Sequence, residues 1–152
     1  MGDAAIQGYI QTLIRADSNF GTDDVTLGDF RVLDRGSSPY AVVLPGRIVS
    51  GQRSGDWSQV QVVWEHPVEV FERFLGDDYA DFTTARQAVV DAIGENPTLG
   101  GNSEISGAHV SGASDVRYLY PAEGADVPTF VFSRVTVRSV EEVTHDGGGE
   151  FA

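Results

Sequence analysis

Cysteine and lysine are both missing from this 152-residue chain. Without cysteine there can be no disulfide framework, no thiolate metal site and no thiol nucleophile. Without lysine a Walker-type phosphate loop cannot be completed, because that loop uses a lysine ammonium to reach the outer phosphates. All ten basic residues are arginine, set against fourteen aspartates and nine glutamates, for a formal net charge of −13. Such usage fits a high-GC genome and says little about mechanism. An acidic surface repels a phosphate backbone, which disfavours direct gripping of nucleic acid but lets DNA pass nearby without sticking. Long apolar runs are missing as well. The opening "MGDAAIQGYIQTLIRADSNF" has no basic leader and no run near the roughly 18 apolar residues of a membrane span, so neither signal peptide nor anchor is expected.

What is present describes a folded chain. Hydrophobic residues make up 41% and aromatic residues 10% of the sequence, too much for a disordered segment. A chain of this length hides roughly 70% of its unfolded surface, enough for one self-sufficient core. A single domain is expected over residues 1–143, followed by a flexible tail over 144–152, "THDGGGEFA".

Periodicity locates the elements. Residues 3–15 place Ile6, Tyr9, Ile10, Leu13 and Ile14 on one helical stripe behind a possible Asp3 cap. Two strand-like runs, "VTLGDFRVLDRG" and "PYAVVLPGRIVSG", flank the turn-prone "DRGSSP" and read as a hairpin, with Pro45 and Gly46 marking a bulge or an edge. The polar "SGQRSGD" follows as a loop. A long strand is then predicted over about 57–74, with Val60, Val62, Trp64, Val68 and Val70 on one face and Gln59, Gln61, Glu65 and Glu69 on the other. A second helix carries Phe82, Ala85, Val89, Ala92 and Ile93 inward, with Asp81 or Thr83 placed to cap its start. Two further strands follow, "SEISGAHVSGASDVRYLY" and "PTFVFSRVTVRSVEEV". The last is apolar on both faces, Phe130 and Phe132 on one, Val131, Val135 and Val137 on the other, so it is either central or at a subunit contact. The expected class is α+β: a mixed or antiparallel sheet of about five strands, two helices on one face, in the order α-β-β-β-α-β-β.

Routes to catalysis are few. "GENPTLGG" at residues 94–101 has the composition of a phosphate cradle, but it follows a helix, whereas anions bind where a helix begins. Gly94 as a left-handed terminator and Pro97 beyond it account for the stretch as a helix stop. His66, His109 and His145 are scattered, with no i, i+4 pair, and no serine lies in a G-x-S-x-G turn. Lone histidines of this kind most often partner nearby carboxylates. The adjacent pairs Asp77 with Asp78 and Glu141 with Glu142 read as solvated, not as carboxylates opposed across a cleft. No enzyme, metal or cofactor is expected. A rival reading, a small-molecule-binding α+β domain, would use a pocket lined by Tyr118 and Tyr120.

From "AAIQGYIQTLI" through "SSPYAVVLPG" and "WSQVQVVWEHPVEVFERF", and on through "FTTARQAVVDAIGENPTLGG" to "PTFVFSRVTVRSV", the chain resembles the tail terminator and tail-completion proteins of long-tailed phages. The likeness spans about residues 4–143 and lies in the order and spacing of elements. It implies a small virion subunit, made in the host cytoplasm, that assembles as a homo-hexameric ring at the top of the tail, stops growth of the tail tube and meets the head connector. The implied partners are the chain itself, the major tail tube protein and the head-tail connector protein, with DNA only as cargo in the lumen and no membrane. A head-tail joining protein of the same neck is the neighbouring alternative. Arg47, Arg53 and Trp57 have the composition of interface anchors, or of a local turn, and Phe130 and Phe132 could supply subunit contacts.

Overall fold

In a computed structural model the described residues are 2–20, 24–28, 39–53, 59–73, 79–119 and 130–144. They form helices α1 (Asp3–Arg15) and α2 (Tyr79–Gly94) and the strands β1 (Val25–Leu27), β2 (Tyr40–Val43), β3 (Arg47–Arg53), β4 (Gln59–Arg73), β5 (Ile105–Ala113), β6 (Arg117–Leu119) and β7 (Phe130–Thr144). The strands make one mixed sheet of seven.

Two long strands form its spine. β4 and β7 pair antiparallel over all of their length, from Gln59 opposite Thr144 to Arg73 opposite Phe130. Shorter strands share the outer side of each. β2 lies against residues 68–71 of β4 and β3 against residues 60–65, while β6 lies against residues 130–132 of β7 and β5 against residues 135–141. The two side runs are therefore each broken in the middle, at residues 44–46 and 114–116. Pro45 explains the first break, since it has no N–H for the ladder. The second is a jog that stays tied to β7: Ser114 N donates to Arg134 O at 2.7 Å, and Arg134 N donates back to Ser114 Oγ at 2.9 Å.

Strand alternation sorts the side chains into an apolar layer under the helices and a second, helix-free face. Val60, Val62, Trp64, Val68 and Val70 of β4 join Val131, Val135 and Val137 of β7 in one cluster with Ile6, Ile10 and Ile14 of α1 and Phe82, Ala85, Val89 and Ile93 of α2. Each valine, isoleucine or phenylalanine side chain of this layer fully removed from water contributes roughly 1.5–3 kcal/mol, so this layer fixes both helices on the same face of the sheet.

The α+β class and the placement of both helices agree with the sequence. Details differ for local reasons. The order is α-β-β-β-β-α-β-β-β, because each broken run yields two strands. β1 and β2 are not a hairpin; they pair parallel, Val25 with Ala41 and Leu27 with Val43, and only residues 25–27 of the first run are strand among those described. Asp3 does not cap α1: the N-cap is Gly2 without a side-chain bond, and the Asp3 carboxylate reaches the sheet instead. Asp81 and Thr83 lie inside α2, which begins at Tyr79. Gly94 is the last residue of that helix without a positive φ; the left-handed residues are Leu99, Gly100 and Gly101, at φ 53°, 91° and 87°. Leu99 accepts that conformation because its side chain plugs the core, only 2% exposed. "GENPTLGG" is a helix stop followed by a turn that packs near Leu13. β7 is central, paired on both sides, which accounts for its two apolar faces. The expected tail beyond Thr144 lies outside the described residues.

Candidate functional site

The helix-free face of the sheet gathers the polar chemistry. Register sets Arg47 of β3, Glu65 of β4, Arg138 of β7 and His109 of β5 in one row across four strands. Arg47 Nη2 donates to Glu65 Oε1 at 3.3 Å, an exposed pair of small energetic worth. Two rows along the strands, Arg134 gives both Nε and Nη2 to Glu69 Oε1, at 3.2 and 2.5 Å. Glu69 is 3% exposed although its strand phase is that of its solvated neighbours. A shallow hollow of about 290 Å³ lies between these pairs, lined by Pro45, Arg47, Glu65, Pro67, Arg134 and Thr136. Beyond it the same face turns aromatic. Tyr40 stacks on Phe71 at 5.2 Å between ring centroids, Phe71 stacks on Phe132 at 5.4 Å, and Phe130 and Val42 complete this second cluster.

Three of the five interface residues named from the sequence thus share one face. Arg47 is exposed, Phe132 is half-buried and Phe130 is buried within the aromatic cluster. Arg53 ends β3, and its side chain is outside the described part; Trp57 lies outside the described residues. Residues 50–53, expected in a loop, extend β3. Tyr118 is exposed on β6 and borders neither described hollow, and Tyr120 lies outside the described residues. His145, Asp77 and Asp78 also fall outside.

Under the helices a polar knot ties α1 to the sheet. Asp3 Oδ1 accepts from Gly46 N at 2.9 Å and sits 2.7 Å from His66 Nε2. His66 is fully buried, its Nδ1 has no hydrogen-bond partner, and the Trp64 ring lies 5.7 Å away. Burial pushes its pKa below the ordinary 6.5, and Asp3 offsets only part of that. The neutral ring, donating from Nε2, is the form that fits. With the folded pKa below the unfolded one, the unfolded chain takes up the proton first. His66 therefore contributes stability above pH 6.5 that is lost as pH falls through the folded value. Urea unfolding followed between pH 8 and pH 5 should show this slope, at most about 1.4 kcal/mol per pH unit for one proton. His66→Gln, which keeps an amide donor for Asp3, should flatten it; an unchanged slope would assign the effect elsewhere.

Glu141 shows what adjacency in sequence conceals. On β7 it faces the helices, fully buried, and accepts from Trp64 Nε1 at 3.2 Å, while Glu142 faces the other way and is exposed. The two are not both solvated, because neighbours on a strand point to opposite faces. Burial raises the Glu141 pKa above its usual value, an effect the Trp64 bond partly offsets. The phase shared with Val135 and Val137 marks Glu141 as inward, and that shared with Val62 and Val68 marks His66. Nothing in the sequence marks Glu69. Among the described residues no three His, Asp or Glu side chains gather to hold a metal ion, and no helix is long and apolar enough to cross a membrane.

No protein-family model and no curated protein matches the chain. Among solved structures it is similar to a chain from the virion of a native gene transfer agent particle, with a TM-score of 0.67 and 17% identity over 93% of this chain and 98% of that one. A weaker likeness, with a TM-score of 0.47 and 14% identity, is to the sheath/tube terminator of an extracellular contractile injection system in its extended state, covering 100% of this chain and 60% of that one. At such identities the first likeness is one of fold.

Proposed function

We propose that this chain is a structural virion protein, a tail terminator whose subunits close into a six-membered ring, end the growth of a tail tube and offer a surface to the head connector. The observation that carries the reading is the fold shared end to end with a chain of the gene transfer agent virion, 93% of one and 98% of the other. The resemblance in order and spacing from "AAIQGYIQTLI" to "PTFVFSRVTVRSV" supports the same reading. In it the partners are further copies of the chain, the tube protein below and the connector above, with DNA passing through the lumen. Residues 1–143 act as one domain and 144–152 as a tail. Arg47 and Phe132 are the interface residues that a neighbour can reach.

Light scattering on a sizing column, at moderate and at high salt, with negative-stain images of assembled fractions, tests this. Closed particles of about six subunits are expected, since a heterologous contact that closes makes a ring. If the chain stays monomeric, purified tail tubes should still be capped by it and cease to elongate. Failure of both would overturn the proposal.

A further inference from the structure

The two layers of this protein differ in charge. On the helix-free face four arginines, Arg47, Arg117, Arg134 and Arg138, stand against three glutamates, Glu65, Glu69 and Glu142. On the helices and the turns that end them, four acids, Asp17, Asp81, Asp91 and Glu95, stand against Arg15 and Arg86 among the described residues, Asp3 being turned to the sheet. Among the described residues of this chain of net charge −13, arginine is thus more frequent on the sheet face than on the helices. The acidic side has a receptacle: a hollow of about 350 Å³ between α2 and the turn that follows α1, bordered by Asp17, Asn19, Thr83, Thr84, Gln87 and Asp91. Its carboxylates are held in place. Asp17 Oδ1 accepts from Asn19 N at 2.8 Å and Nδ2 at 2.7 Å, and Asp91 Oδ1 accepts from Gln87 Nε2 at 2.9 Å.

We infer that the helix-free sheet face of one copy docks on the acidic hollow between α2 and the turn after α1 of the next, with the Arg47 and Arg138 guanidinium groups directed at Asp17 and Asp91. This rests on the ring reading and says which surfaces make the ring. A second copy is the occupant that the charges fit. Arginine forks match carboxylates in pairs, and the half-buried Phe132, farther along the same face and one row beyond Arg134, supplies the apolar contact that such an interface needs. Nucleic acid fits less well, because Glu65 and Glu69 sit among the arginines and would repel phosphate. Since the complementary halves lie on opposite layers of one chain, the contact is head to tail.

The absence of cysteine makes the test direct. Thr136→Cys places a thiol in the hollow of the sheet face and Thr84→Cys places one in the helix groove, both leaving the charges intact. With a short bismaleimide, a mixture of the two variants should give covalent dimers at least about tenfold more abundantly than either variant alone. Adding Arg138→Glu to the first should cut the yield about tenfold, and adding Asp91→Arg to the second should restore most of it. Equal self-crosslinking of either variant alone, or a yield indifferent to charge reversal, overturns the inference. Duplex DNA retained by the parent chain and released by Arg138→Glu would assign the face to nucleic acid and also overturn it. Rings of the parent chain without crosslinking would remove this contact and leave the ring reading; crosslinking without rings would do the reverse.

Discussion

Gly46→Ala should cost the fold about 3 kcal/mol, near the upper end of what one added methyl does in a packed interior. A Cβ at this position would meet three atoms of the His66 ring at 2.5, 2.6 and 2.7 Å. The ring cannot step aside, because it is fully buried and held by Asp3 at 2.7 Å. Nor can the backbone move freely, since Gly46 N donates to the same carboxylate oxygen. The methyl therefore has to break the knot that fastens the first turn of α1 to the sheet. For a chain of this length the loss corresponds to a fall of roughly 10 °C in Tm. Thermal and urea unfolding of Gly46→Ala, His66→Ala and the double variant would measure it. The double variant should be far less destabilised than the sum of the two, because the space vacated by imidazole accommodates the new methyl. Strict additivity would show that the ring is not what Gly46 makes room for.

A second large effect is expected at Arg134. Its guanidinium is the described partner of Glu69, whose side chain is 3% exposed, while Arg134 itself is half open to water. Removing one member of a buried pair leaves an uncompensated charge, which costs 3–5 kcal/mol when both are buried. The exposed half of this pair lowers that, so Arg134→Met should cost about 2 kcal/mol. Glu69→Gln in the same chain should recover most of the loss, since the amide carries no charge to strand. Chemical denaturation of the two single variants and the double variant at neutral pH provides the cycle. If the double variant were as unstable as Arg134→Met, the arginine would be acting through packing of its stem. The same variants bear on assembly, because Arg134 borders the hollow on the proposed docking face.

Much of the fold can be read from alternation and helical spacing. Val60, Val62, Trp64, Val68 and Val70 announce β4 and its inward face, and Ile6, Ile10 and Ile14 announce α1. These patterns are local consequences of side-chain period, so they survive in a single sequence. Pairing is less accessible. A turn-rich interval between two strand-like runs suggests a hairpin, yet β1 joins β2 in parallel, because partner choice depends on what the rest of the sheet leaves open. The start of α1 departs from its local signal for the same reason: Asp3 finds a better acceptor role 63 residues away, at His66, than at its own helix terminus.

The sequence by itself determined the chemical character of this protein: no thiol and no lysine chemistry, a strong acidic excess, one amphipathic set of helices and strands, and no catalytic motif. Those properties depend on residue type and near-neighbour spacing alone. Only the tertiary structure decided which polar groups are buried together and where the arginines emerge. Arg47, Glu65, Arg138 and His109 span 92 positions of sequence and become one row through the register of four strands. Asp3, Gly46 and His66 become one knot only when α1 lies across the sheet. Register and layer packing are set by the burial of many side chains at once, and no short stretch of sequence contains that sum.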